Sequence, residues 1–258
     1  MRVFAVSDIH VDYDENLEWV LSLTAKEYAD DILILAGDVT DKMPLLEQVF
    51  VSLRASFKAV LFVPGNHELW VQDDEFDCSL NKFDAIAELC KSCGVHTGVF
   101  ELPGISFVPL YSWYDFSFGE PDRHLRRAWR DFRACSWPEQ LPESKDVSEY
   151  FLKLNIPNLT IRNKTVISFS HFLPRIDVMP AGIPLKRRNI YPVLGSEALG
   201  EQVKKLDPTI HVYGHSHVNQ SIELDGIQYV NNAFAYPSET YIARKQLKCI
   251  FECLKDEC

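Results

Sequence analysis

Three short apolar runs set the architecture of this chain: Val3-Phe4-Ala5-Val6, Ile32-Leu33-Ile34-Leu35-Ala36 and Ala59-Val60-Leu61-Phe62-Val63. Each is continuous rather than alternating and rich in aliphatic residues, the texture of a strand covered on both faces. Helical patterns separate them. Residues 15–27 carry Leu17, Val20, Leu21 and Leu23 at helical spacing behind acidic Asp12, Asp14 and Glu15, and residues 45–53 read as a second helix. A β-α-β-α-β alternation implies a parallel sheet with right-handed crossovers. Downstream, helices are expected over 79–93, ending at Gly94, and over 196–206. Thr165-Val166-Ile167-Ser168-Phe169 and Ile210-His211-Val212-Tyr213 read as strands. Asp225-Gly226 marks a two-residue hairpin between strands at 221–224 and 227–230, and residues 248–254 add a last strand. With no repeat and no low-complexity linker, residues 1–258 are read as a single α/β domain with α/β/β/α layering.

The texture changes at 111–155. This stretch holds Tyr111, Trp113, Tyr114, Phe116, Phe118, Trp129, Phe132 and Trp137 together with Arg123, Arg126, Arg127, Arg130 and Arg133. It reads as an insertion or cap that packs on the main body. The aromatics at 111–118 either stack on a ligand or pack this insertion onto the core.

Chemistry is concentrated in five motifs, each directly after an apolar run: Asp8-Ile9-His10, Gly37-Asp38, Gly65-Asn66-His67, Ser170-His171 and Gly214-His215-Ser216-His217. Strand ends hold side chains in fixed mutual positions, so residues far apart in sequence can share one site. Asp8 and His10 converge on one ion if the chain turns between them. Asp38 offers two oxygens, Asn66 a neutral amide oxygen, and His171, His215 and His217 imidazole nitrogens. This thiolate-free oxygen and nitrogen set suits iron, manganese, zinc or cobalt and disfavours a structural zinc cage. Any one motif occurs readily by chance. The ordered set of five does not.

Composition excludes several other readings. The formal net charge of −11 argues against a nucleic-acid partner held by counterion release. No apolar run approaches the ~20 residues of a membrane helix, no signal peptide is recognised, and a cytoplasmic location is expected. The terminal Lys255-Asp256-Glu257-Cys258 ends on the wrong residue for a retention signal. The seven cysteines show no disulfide framework. Cys90 and Cys93, in a helical pattern, read as free thiols rather than a redox pair or half a zinc site, and Cys249, Cys253 and Cys258 are likewise expected to be reduced.

Taken together, the five motifs resemble the signature of the calcineurin-like metallophosphoesterase superfamily over residues 8–217. Asp8-Ile9-His10 and Phe169-Ser170-His171-Phe172-Leu173-Pro174-Arg175 are similar to segments of its small plant and algal members. The resemblance implies a sandwich of two mixed sheets flanked by helices. It implies two divalent or trivalent ions (Mn, Fe, Zn or Co), one held by Asp8, His10 and His217, the other by Asn66, His171 and His215, with Asp38 shared. It further implies hydrolysis of a phosphomonoester or phosphodiester, with a hydroxide held by the metals as nucleophile and His67 as general acid. The expected substrate is a small phosphorylated molecule.

Asp41, three residues after Asp38, either orients His67 or serves as a helix N-cap or first-turn acid. Glu68 resembles the protein Ser/Thr phosphatases, where most other members carry Asp. Against that branch stand Lys42-Met43 after Asp41, where it has Arg-Gly, and the intact Gly-His-x-His at 214–217. A protein Ser/Thr phosphatase and a non-catalytic protein-binding scaffold of the same fold are the alternatives. Arg175, four residues after His171, is the first candidate for binding the substrate phosphate, with Lys186-Arg187-Arg188 and the arginines at 123–133 behind it.

Overall fold

The computed structural model describes residues 1–72 and 75–253. In a first sheet, β1 (Arg2–Val6), β2 (Ile32–Leu35) and β3 (Ala59–Phe62) run parallel, and β10 (Lys248–Glu252) pairs antiparallel with β1 on the outer side. Side chains alternate across a strand, and the two faces bury different partners. Phe4, Val6, Leu33, Leu35, Val60 and Phe62 pack under α1 (Asp14–Ser22), α3 (Met43–Ser56) and α4 (Ser79–Cys93). Val3, Ala5, Ile32, Ile34, Ala59 and Leu61 face the second sheet. Each fully buried Val, Leu or Ile contributes about 1.5–3 kcal/mol. Such strands leave no polar face, which is why their sequence shows no alternation.

The second sheet has the order β4 (Phe100–Leu102), β5 (Ile105–Pro109), β6 (Thr165–Phe169), β7 (Ile210–Tyr213), β9 (Ile227–Asn231), β8 (Gln220–Leu224). Its four inner strands are parallel and its edges antiparallel. Phe107, Ile167, Phe169, Ile210 and Val212 meet the first sheet. Val108, Val166, Tyr213 and Tyr229 pack on the opposite side with Leu152 of α7 (Ser144–Asn155) and Leu199, Val203 and Leu206 of α8 (Glu197–Leu206). The molecule is thus an α/β/β/α sandwich of two mixed sheets.

Several local details differ from the sequence reading. The first helix stops at Ser22, and a separate turn of helix, α2, follows at Ala25–Tyr28. Helix α3 begins earlier than expected because Pro44 sits in its first turn, where a missing N–H costs nothing. Strand β4 had no sequence signal, being three residues paired through the turn at Gly104 (φ 77°). Asp225 and Gly226 both have positive φ (52° and 81°), as a type I′ hairpin demands. One expectation is corrected. Cys253 is disulfide-bonded, since a cross-link needs only a second cysteine in reach and no framework spacing, while Cys78, Cys90, Cys93, Cys135 and Cys249 are free. Cys258 and the terminal tetrapeptide lie outside the described residues. No described helix is long and apolar enough to cross a membrane.

Residues 111–155 supply α5 (Arg123–Ala128), α6 (Asp131–Ala134) and α7. Trp113 and Tyr114 are almost fully buried against Leu69, Phe172 and Val193 of the main body. These rings therefore bind the segment to the core rather than face a ligand. The parallel strands of both sheets deliver their C-terminal ends to one edge of the sandwich, and all five motifs arrive there.

Candidate metal centre

The loops after β1, β2 and β7 turn sharply to bring their side chains inward. Asp8, His10, Asp38, His215 and His217 have positive φ (52°, 47°, 56°, 66° and 54°), five of the nine described non-glycine residues that do. Each such residue costs about 1–3 kcal/mol, a cost that concentrates at functional turns. Gly37 (φ 80°) and Gly65 allow the loops to close: a Cβ on Gly65 would lie 2.7 Å from His171 Nε2 and closer still to Asp38 Oδ1.

The inward side chains form three overlapping groups whose ligand atoms lie within 4.8 Å of one another: Asp8, His10 and His217; His10, Asp38 and His67; Asp38, His171 and His215. Asn66 joins the last, its Oδ1 being 3.1 Å from His171 Nε2. His171 Nε2 is 3.4 Å and His67 Nε2 3.7 Å from Asp38 Oδ2.

Outer hydrogen bonds define which nitrogen each ring presents. His171 Nδ1 donates to the Ala36 carbonyl (2.9 Å), His215 Nε2 to the Val193 carbonyl (3.0 Å) and His217 Nδ1 to Glu239 Oε2 (2.6 Å). The opposite nitrogens of these three rings therefore turn lone pairs into the cluster, where His171 Nε2 and His215 Nδ1 are 3.1 Å apart and His217 Nε2 lies 3.1 Å from His10 Nε2. Facing lone pairs at that distance repel unless a cation lies between them. The donor set fits metal ions.

The field of the site tells the same story. Burial raises the Asp38 carboxyl, but His171 and His67 outweigh it and hold it well below the usual range. Burial lowers His171, yet Asp38 and Asp8 raise it to about 9; burial likewise lowers His217, while Asp8 and Glu239 raise it to about 10. His215, pressed by burial and by His171, falls to about 3. Two buried carboxylates demand nearby positive charge, which metal ions supply without protonating the ligands.

Two further acids hold this geometry. Glu68 is fully buried and accepts four backbone N–H bonds: Oε2 from Asp38 (2.9 Å) and Gly65 (2.6 Å), Oε1 from Val39 (2.5 Å) and Thr40 (3.3 Å). Burial and the Asp38 charge push it up to about 7 against those donors. Its role is to pin the Asp38 turn to the Asn66 turn. Asp131, also buried, accepts from Asn66 Nδ2 (2.9 Å) and the Trp70 indole (2.7 Å) through Oδ1, and from the Trp129 indole (2.7 Å) through Oδ2. Fixing the Asn66 N–H outward leaves its carbonyl oxygen facing His171. We expect Asp131→Ala to weaken metal binding by about 10–100-fold, measured by titrating metal-free protein with Mn²⁺; an unchanged affinity would refute this role for Asp131.

Neither Asp131 nor Glu239 was a sequence candidate, because the first lies among arginines and the second follows no motif. The sequence candidates divide. His67 lines a cleft of about 650 Å³ beside the cluster, its ring 3.7 Å from Trp70. Asp41 lines the same cleft, but its carboxylate faces Arg130 (3.8 Å) and makes no hydrogen bond to His67 among the described residues. Nor does it cap α3, whose N-cap is Lys42. Arg175 is not in the cleft wall. Asp177 and Asp225 hold its guanidinium, each at 2.6 Å, so the arginine ties the turn after His171 to the β8–β9 hairpin. Arg130, stacked 4.2 Å over Trp70, is the arginine that borders the cleft.

A family model described as calcineurin-like phosphoesterase matches residues 1–219. The [acyl-carrier-protein] phosphodiesterase PptH of Mycobacterium tuberculosis is 26% identical over 92% of this chain and 78% of its own. The crystal structure of that Mycobacterium tuberculosis phosphopantetheinyl hydrolase superposes with a TM-score of 0.80 at 24% identity, covering 92% of this chain and 90% of the other. A Thermus thermophilus protein, TT1561, shares the fold more distantly, with a TM-score of 0.53 and 18% identity over 90% and 89% of the two chains.

Proposed function

The chain belongs to the calcineurin-like phosphoesterase family and is a hydrolase of phosphoesters, and from that premise we propose that it cleaves a phosphodiester carried by a protein, at a site built for two metal ions. The convergence of histidine lone pairs on buried Asp8 and Asp38 carries this reading. Asp8, His10 and His217 would hold one ion and Asn66, His171 and His215 the other, with Asp38 reaching both. Bound there, such ions supply Lewis acidity toward the phosphoryl oxygens and the attacking water.

The protein's own residues do the rest. Glu68 and Asp131 hold the ligand loops still, and the cleft walls orient the ester. His67, at the cleft surface with its ring held against Trp70, gives a proton from Nε2 to the departing alkoxide. Local charge favours a diester over a monoester. The cleft's basic side chains already face carboxylates, Lys42 with Asp12 (3.2 Å) and Arg130 with Asp41 (3.8 Å), which leaves little surplus for the second charge of a monoester. The Mycobacterium tuberculosis relative acts on an acyl-carrier protein. A phosphopantetheinyl carrier protein is accordingly the proposed substrate, larger than the small phosphorylated molecule that the motifs alone suggested.

The test is direct. Mn²⁺-loaded protein should hydrolyse bis(p-nitrophenyl) phosphate with a higher kcat/KM than p-nitrophenyl phosphate, and should release phosphopantetheine from a holo-acyl carrier protein. No hydrolysis of any of the three, with two metals per chain confirmed, removes the proposal. Preference for the monoester removes the diester assignment.

A further inference from the structure

Although the chain carries a net charge of −11, two segments that lead up to one side of the cleft are locally basic. Arg123, Arg126 and Arg127 are exposed on α5, which leads directly into the cleft-lining residues Ala128, Trp129 and Arg130. Lys186 and Arg187 are exposed, and Arg188 half-buried, on the 3-10 segment Leu185–Val193, whose Ile190 lines the same cleft. Ile190 also packs into the cluster that contains Leu125 and Trp129, so the two basic segments share one apolar foundation. Among the described residues, Arg123, Arg127, Lys186 and Arg187 form no ion pair; Glu120 and Asp122 on the same stretch, the latter capping α5, offset only part of this positive charge. Leu185 projects from this face with 80% of its surface exposed.

We infer that this basic rim is a docking surface for an acidic protein, which it holds so that the attached phosphodiester enters the cleft. The inference rests on the carrier-protein reading above and gives that substrate a second point of recognition away from the reacting bond. Charge complementarity across a rim accelerates encounter and sets orientation, and an exposed leucine among cations supplies apolar contact inside a polar border. A nucleic acid fits the same surface poorly. Its phosphate backbone would run past the patch onto a surface of net negative charge, which repels it.

Binding can be measured without hydrolysis. By titration calorimetry of an acidic acyl-carrier protein lacking its prosthetic group, the Kd should rise at least about tenfold between roughly 50 and 300 mM NaCl. The variant Arg123→Glu, Arg127→Glu, Lys186→Glu, Arg187→Glu should weaken binding at least about tenfold and flatten the salt dependence. Its kcat and KM for bis(p-nitrophenyl) phosphate should match those of the parent. Unchanged carrier affinity in the variant, or carrier binding insensitive to salt, overturns the inference. Tighter binding to a single-stranded RNA oligonucleotide than to the carrier protein overturns it too. If the variant melts early, the salt series on the parent protein decides alone. Loss of small-diester hydrolysis in the parent would sink the proposed function while leaving this binding measurement readable.

Discussion

Replacing His67 by alanine is expected to lower kcat by about 10²–10⁴-fold on a diester with an alkoxide leaving group and far less on bis(p-nitrophenyl) phosphate. An alkoxide departs as a strong base and needs a proton in the transition state. A nitrophenolate spreads its charge over the ring and leaves without one. The contrast between substrates therefore isolates proton donation. It also separates two roles that the geometry of His67 offers, because its Nε2 lies in a ligand-sized group with His10 and Asp38 while its ring borders the cleft. A proton donor can be removed with the metal content unchanged. A ligand cannot. Equal losses on both substrates together with reduced metal content would transfer His67 from the acid to the ligand set.

What the sequence made legible follows from how local each signal was. Strands β1, β2 and β3 could be read directly because burial on both faces leaves only apolar residues, and each ends where its motif begins. The convergence of the five motifs could be read because the parallel order of strands dictates that their ends share an edge. Asp131 could not. It lies 65 residues from Asn66, and its part in the site depends on how the insertion folds back over the 3-10 turn His67–Leu69 and Trp70. Arg175 shows the opposite failure. It follows His171 closely in sequence, yet Asp177 and Asp225 offer two carboxylates on the far side of the turn, and the guanidinium goes to them. Asp41 was expected to orient His67 or to cap a helix, but Arg130, invisible as a neighbour from sequence, faces its carboxylate. Glu68 was read only as a resemblance to the protein Ser/Thr phosphatases. Its physical content, four backbone N–H groups gathered from two loops, emerges only once β2 and β3 are adjacent.

That gathering makes Glu68→Gln a severe change despite its near-identical shape. Both carboxylate oxygens are in use, each by two backbone donors. A glutamine keeps one acceptor oxygen and turns an NH₂ group toward the other pair of N–H donors, so two buried backbone donors lose their partner. At about 1–3 kcal/mol for each unsatisfied group, the expected loss is about 2–6 kcal/mol, a large part of the roughly 5–15 kcal/mol by which domains are stable. Denaturant unfolding of the metal-free protein measures it. The loss should also reach the site, because the turn being pinned holds Asp38 at a φ of 56°, and metal affinity should fall with stability. Glu68→Asp keeps the charge and two acceptors at shorter reach and should lose less on both counts. If Glu68→Gln unfolded within about 0.5 kcal/mol of the parent, as an ordinary surface substitution does, the two loops would have to be held together by the strands alone.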